Sequence, residues 1–166
     1  MSNSGVYLVE VAATLCIIWA GVAMADEYGQ SGTELTRAAS LAEKGVLLYE
    51  QGNYTESERL LRESLAIRTR FLPRGDSQIA ATLNDLGASL HYQSRYMEAE
   101  SLYKQALEIY NDLPECQADR ASTLGNLASA YREQRQFDSA SNIYSQLFEM
   151  FKSENGVSES TKATAY

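Results

Sequence analysis

The sequence predicts an all-α fold made of three stacked helix–turn–helix units. Three observations predict it. A two-helix pattern recurs three times at a spacing of 41–42 residues. Within each copy the apolar residues fall at helical intervals. The chain holds only 2 prolines, Pro73 and Pro114, and both fall between copies, where a helix has to stop.

The first element, residues 1–25, reads as an address rather than as part of the fold. Residues 11–25 are VAATLCIIWAGVAMA, with no charge. As a helix they span about 22 Å, against about 30 Å for a bilayer core. Extension back to Val6 would bury Glu10, which is costly in hydrocarbon. Ala23 and Ala25 precede the polar Asp26, and small residues at those two positions fit a signal peptidase. Cleavage near Ala25 and export, periplasmic or secreted, are therefore expected. The n-region departs from the pattern, because it lacks Lys and Arg and carries Glu10. The alternative is an uncleaved anchor, with membrane association through residues 6–25. Residues 26–34 read as a linker.

The array follows over residues 35–157, with units at about 38–79, 80–120 and 121–157. In the second unit Ile79, Leu83, Leu86 and Leu90 form one helical stripe. Ala99, Leu102, Tyr103, Ala106 and Tyr110 form another beyond a turn at Gln93-Ser94-Arg95. Leu83, Leu86, Gly87, Tyr96, Ala99 and Tyr103 recur 41 residues later as Leu124, Leu127, Ala128, Phe137, Ala140 and Tyr144. The first unit places Leu41, Gly45, Tyr54 and Leu65 42 residues ahead of Leu83, Gly87, Tyr96 and Leu107, and it turns at Gly52-Asn53. Small residues recur where paired helices must approach: Gly45, Gly87 and Ala128 at one position, Ser57, Ala99 and Ala140 at another. Aromatics recur at the inter-helix turn. This alternation suits close packing, and one helix pair buries its stripe only by stacking on the next. Gly75-Asp76-Ser77 offers a stop and a capping oxygen.

The first copy is the most degenerate. Lys44, Ser57 and Ser64 stand where later copies have Leu86, Ala99 and Ala106, which suggests the polar outer face of a terminal cap. Residues 158–166 read as a C-terminal stub or the start of a further unit. Ile143, Leu147 and Phe151 of the third unit are then expected to form an exposed stripe in need of cover, from the stub or by self-association through the C-terminal unit.

The pattern resembles the tetratricopeptide repeat, in its longer kinesin light chain-like form. Ala81-Thr82-Leu83-Asn84-Asp85-Leu86-Gly87 and Ser122-Thr123-Leu124-Gly125-Asn126-Leu127-Ala128 match that form's A-x-T-L-x-x-L-A opening. Gly75-Asp76-Ser77 is similar to its linker without the His-Pro. The resemblance implies a right-handed α-solenoid whose first helices line an inner groove. Carried over by position, the groove takes Ala42, Val46 and Tyr49, then Asn84, Ala88, His91 and Tyr92, then Gly125, Asn126, Ser129, Arg132 and Glu133. Tyr and Arg combine apolar area with a hydrogen-bonding head, and an Asn amide offers both donor and acceptor to a peptide backbone. The resemblance thus implies a protein or peptide partner. The paired Lys, Asn and Arg of chaperone-tail clamps are not matched, since Ala42, Val46 and Gly125 are uncharged.

Other classes are disfavoured. Net charge is −8, which repels nucleic acid. Cys16 and Cys116 match neither a disulfide framework nor a metal spacing. Beside Cys116, Glu115 and Asp119 oppose a reactive thiolate. His91 is the only histidine, so no metal site is expected, and no cofactor or small-molecule substrate motif occurs. Glu56, Glu58, Glu98 and Glu100 sit near the starts of second helices, where they complement the helix dipole. The expected function is a non-catalytic scaffold. Two rivals stay open: a structural subunit of a membrane or envelope complex, and an N-terminal regulatory segment of a larger protein.

Overall fold

The computed structural model describes residues 30–163, with side chains over 30–152. The apolar run at 11–25, and with it the expected signal or anchor, lies outside them. Among the described residues no helix is long and apolar enough to cross a membrane. The chain divides after Arg37. Residues 30–37 are helical, with Thr33 donating to the Gln30 carbonyl at 2.8 Å and Glu34 paired with Arg37 at 3.5 Å. Helix is thus already formed at residue 30, inside the segment expected as a linker.

From Ala38 onward the chain is an all-α solenoid of the right-handed kind, with helices packed in chain order. The first unit pairs α1 (30–50) with α2 (Tyr54–Phe71). The second pairs α3 (Ser77–Tyr92) with α4 (Tyr96–Asn111). The third pairs α5 (Gln117–Glu133) with α6 (Phe137–Ala163). Helices α3 and α5 therefore begin a few residues before the expected unit boundaries. The stub is an unbroken extension of α6, so residues 158–163 open no new helix.

The three inter-helix turns repeat one geometry. Gly52, Ser94 and Arg135 all have positive φ, at 78°, 63° and 60°. The next N–H in each turn reaches back to a carbonyl of the preceding helix: Asn53 to Leu48 at 2.8 Å, Arg95 to Leu90 at 3.0 Å, Gln136 to Tyr131 at 2.8 Å. This is the Schellman closure, which satisfies carbonyls orphaned at a helix end. Only the first copy uses glycine there, so the sequence announces one of the three turns clearly. At the α3 start the expected cap forms, with Asp76 accepting from the Gln78 N–H at 2.8 Å.

The small positions do what the pattern predicts. A Cβ added at Gly87 would stand 2.6 Å from the Tyr103 ring, and one at Gly45 would stand 2.8 Å from Leu61 Cγ. Tyr103, Leu61, Leu86 and Leu90 are fully buried at these crossings. Truncating a ring as deeply packed as Tyr103 to Ala would cost about 3–5 kcal/mol.

Two expectations are corrected. Ser57 and Ser64 do not form a polar outer face; both are fully buried. Ser57 shares a hydrogen bond with Ser89 at 2.8 Å, and Ser64 donates to the Ala38 carbonyl at 2.7 Å. A hydroxyl is accepted in the core because it finds a partner there. The unpartnered stripe of the third unit is also different. Ile143 is buried against α5, with Leu147 half-buried beside it. The exposed face carries Phe137, Tyr144, Phe148 and Phe151. Tyr144 and Phe148 follow Tyr103 and Leu107 by 41 residues, and α5 covers those two in the second unit.

Candidate partner-binding groove

The inner helices α1, α3 and α5 carry the residues expected at the site, and the structure links several of them. Asn126 Nδ2 donates to Asn84 Oδ1 at 3.0 Å, across 42 residues of sequence. The two amides thus join adjacent units, and each keeps hydrogen-bonding capacity for a ligand. Ser129 is half-buried on the same helix as Asn126, while Arg132 and Glu133 are exposed and paired with each other at 3.2 Å.

Tyr49, His91 and Tyr92 meet in one aromatic cluster with the turn residues Tyr54 and Tyr96. Tyr54 stacks on Tyr92 with centroids 5.1 Å apart, and Tyr49 meets Tyr92 edge-on at 5.4 Å. His91 contacts Tyr92 at 5.6 Å and Tyr96 at 5.1 Å, both edge-on. These offset and edge geometries suit the ring quadrupoles. Tyr92 stays 58% exposed, so its ring is available to a partner. Burial and the neighbouring Tyr92 push the Tyr49 phenol up, which keeps it neutral. Burial pushes the His91 imidazole down, the more so with Arg132 nearby, while Glu133 opposes the change. Its buried Nδ1 has no hydrogen-bond partner.

Between α1 and α3 lies a groove of about 470 Å³. Ala42 and Val46, expected there, line it. So do Glu43, Leu47, Glu50, Arg68 and Asp85, which sequence reasoning missed. Arg68 had left a signal, because a charged residue stands on the buried stripe of α2. Its Nη1 donates to the Gln78 carbonyl at 2.9 Å and to Thr82 Oγ1. Burial raises the Asp85 carboxyl, against a hydrogen bond from Asn84 and the Arg68 charge.

The carboxylates at the second-helix starts divide into two roles. Glu56 and Glu98 pair locally with residues three away, Arg59 and Arg95, both at 2.6 Å. Glu58 and Glu100 instead bridge units. Glu58 accepts from Gln93 at 3.0 Å and Arg95 at 2.7 Å, and Glu100 accepts from Gln134 at 2.8 Å. Burial raises both carboxyls, yet these hydrogen bonds, with those from Arg62 to Glu58 and Lys104 to Glu100, win and hold them below the usual range. The helix-dipole reading of the sequence covers only part of this. Cys116 is half-buried in the 3₁₀ turn Pro114–Cys116 and packs near Ile79 and Tyr110. Burial raises its thiol pKa, and Glu115 and Asp119 add to that. Among the described residues no group of His, Cys, Asp and Glu is placed to hold a metal ion.

A family model for the tetratricopeptide repeat matches residues 36–112 and again 78–153. The chain belongs to the tetratricopeptide repeat family. Among solved structures, the array is similar to BtubC (BKLC) from P. vanneervenii, at 20% identity and TM-score 0.70, over 77% of this chain and 52% of that one. It is similar to the tetratricopeptide domain of Arabidopsis FLU, at 17% identity and TM-score 0.63, over 74% and 98%. It is also similar to a putative kinesin light chain from Podosopora anserina with nearly identical repeats, at 21% identity and TM-score 0.62, over 72% and 57%. The chain thus spans about half the length of BtubC. No curated protein matches it. Tetratricopeptide arrays are protein-interaction scaffolds, generally non-catalytic, that bind protein or peptide partners.

Proposed function

We propose that this array holds a peptide or helical segment of a partner protein on the inner face of α1, α3 and α5. Tyr49, Asn84, His91, Tyr92, Asn126, Ser129, Arg132 and Glu133 form that contact. The observation that carries the reading is the hydrogen bond from Asn126 to Asn84. It joins the inner helices of adjacent units, so polar anchors and the exposed Tyr92 ring stand on one continuous surface. Such a surface offers apolar area and paired amides, the chemistry by which a peptide backbone is held. The test is a photo-cross-linking phenylalanine analogue placed at Tyr92, and in a second protein at Met97, which is 78% exposed on α4. A cross-linked partner from the Tyr92 site alone supports the proposal. Cross-links from Met97 alone sink it.

Two further parts of the reading rest on separate features. The uncharged run at 11–25, ending in Ala23-Met24-Ala25, supports export with cleavage near Ala25. An intact mass beginning at Met1 in the membrane fraction would replace that with an anchored subunit. The exposed aromatics of α6, which border a surface depression of about 540 Å³ with Arg132 and Glu149, support association through the third unit. Sedimentation of the Phe148→Lys protein against the parent checks this, and an unchanged monomer in both removes it.

A further inference from the structure

We propose that the groove between α1 and α3 receives a basic, amphipathic segment of the partner, with apolar side chains on Val46 and Leu47 and Lys or Arg side chains at Glu43, Glu50 and Asp85. The inference rests on the reading that the inner-helix face binds the partner, and it names the chemistry of that partner. The groove exists because α1 and α3 face each other there through small residues, Ala39, Ala42 and Ala81. Its floor is apolar, and Leu47 is left 53% exposed. Glu43, Leu47 and Glu50 stand at intervals of four and three along α1, one face of a helix.

The exposed charges of the groove, Glu43 and Glu50, are unspent. Some carboxylates elsewhere on the array are used internally: Glu56, Glu58, Glu98 and Glu100 all sit in ion pairs. Glu43, Glu50 and Asp85 make no ion pair among the described residues, although all three line the same groove. Among the described residues the cation lining the groove is Arg68, which is only 8% exposed and is drawn into the α2–α3 packing by Gln78 and Thr82. Its buried Nε–H has no acceptor among the described residues. Glu43 and Glu50, both exposed, make a field that favours cations and rejects acidic segments, since like charges across a contact suppress binding; Asp85, whose carboxyl is raised by burial and which faces Arg68, adds less. At the far end of α1 the Tyr92 ring, 58% exposed, adds aromatic surface.

The test uses the full chain with methyl-labelled NMR and two synthetic amphipathic peptides, one of Leu and Lys and one of Leu and Glu. The Leu/Lys peptide is expected to shift the methyl signals of Ala42, Val46 and Leu47. Its affinity should fall about tenfold or more in the Glu43→Gln/Glu50→Gln/Asp85→Asn protein. The double variant Glu43→Gln/Glu50→Gln, which changes only exposed side chains, should show most of that loss. Neutralising the exposed outer residues Glu108, Asp112 and Glu115 should change affinity less than about twofold. Equal or tighter binding of the Leu/Glu peptide at the same methyls overturns the inference and leaves the inner-face reading standing. Shifts confined to other surfaces, together with no cross-link from Tyr92, overturn both. If the same methyls shift with protein concentration alone, the occupant is a second copy and the inference falls.

Discussion

Gly87 and Gly125 both lie inside first helices, yet the same substitution should move stability in opposite directions. Replacing a helix-interior glycine with alanine gains about 1 kcal/mol from backbone entropy. At Gly125 nothing lies within 4 Å of the added methyl, so Gly125→Ala should stabilise by about that amount. At Gly87 the methyl would meet Tyr103 Cε1 at 2.6 Å, Cδ1 at 2.9 Å and Cζ at 3.1 Å. Ordinary carbon contacts are about 3.5–4.0 Å, so the ring must retreat by roughly 1 Å. Tyr103 is 1% exposed and packs against Leu124, Leu127 and Ala128 of the next unit. Overpacking of that kind costs about 1–3 kcal/mol. The net expectation for Gly87→Ala is a loss of about 1 kcal/mol, hence a gap of about 2 kcal/mol between the two variants. For a chain of this size that is about 4–8 °C in Tm. Urea and thermal melts followed by circular dichroism measure it. Gly45→Ala should fall between them, because its clash is with the branched end of Leu61 at 2.8 Å and 3.0 Å. If Gly87→Ala stabilises as much as Gly125→Ala, the α3–α4 crossing has slack and the close-approach reasoning is wrong.

Other outcomes follow from the turns, the bridges and the histidine. Ser94→Gly relieves a left-handed conformation that the first unit already gives to Gly52; a gain of about 0.5–1 kcal/mol in urea melts is expected, and a loss would show that the Ser94 side chain matters more than its backbone. Glu100→Ala removes the acceptor of Gln134 and Lys104, so it should cost about 1 kcal/mol, with little further loss when Gln134→Ala is added; additive losses would deny the bridge. Burial lowers the His91 pKa below the ordinary 6.5. The unfolded chain therefore takes up the proton first as pH falls, so His91 contributes stability that is present above 6.5 and is lost as pH drops through the folded value. In His91→Gln the acid-side slope of Tm against pH should be shallower, and an unchanged slope would place the titration elsewhere.

The fold was legible in the sequence because stacking imposes its spacing on every copy. The stripe Ile79, Leu83, Leu86 and Leu90 is buried throughout, and Gly45 and Gly87 sit at the tight crossings. The groove was only partly legible. Position within the repeat placed Ala42, Val46 and Asn84 on the inner helices, but Glu43, Leu47, Glu50 and Asp85 join the groove only through the packing of α1 against α3. Helical periodicity within one segment holds no information on that packing.

Periodicity, small residues and turn positions, all local quantities, determined by themselves that this chain is a three-unit helical array. Tertiary structure alone decided which polar groups are spent and which are free. Ser57 and Ser64 read as surface residues, yet they are buried because Ser89 and the Ala38 carbonyl satisfy them. Glu58 and Glu100 read as helix-end charges, yet they bridge units. Glu43 and Glu50 read no differently, yet among the described residues neither makes an ion pair. A hydrogen bond depends on a partner that here stands 26 or 42 residues away, and only the packing of the helices brings that partner to it.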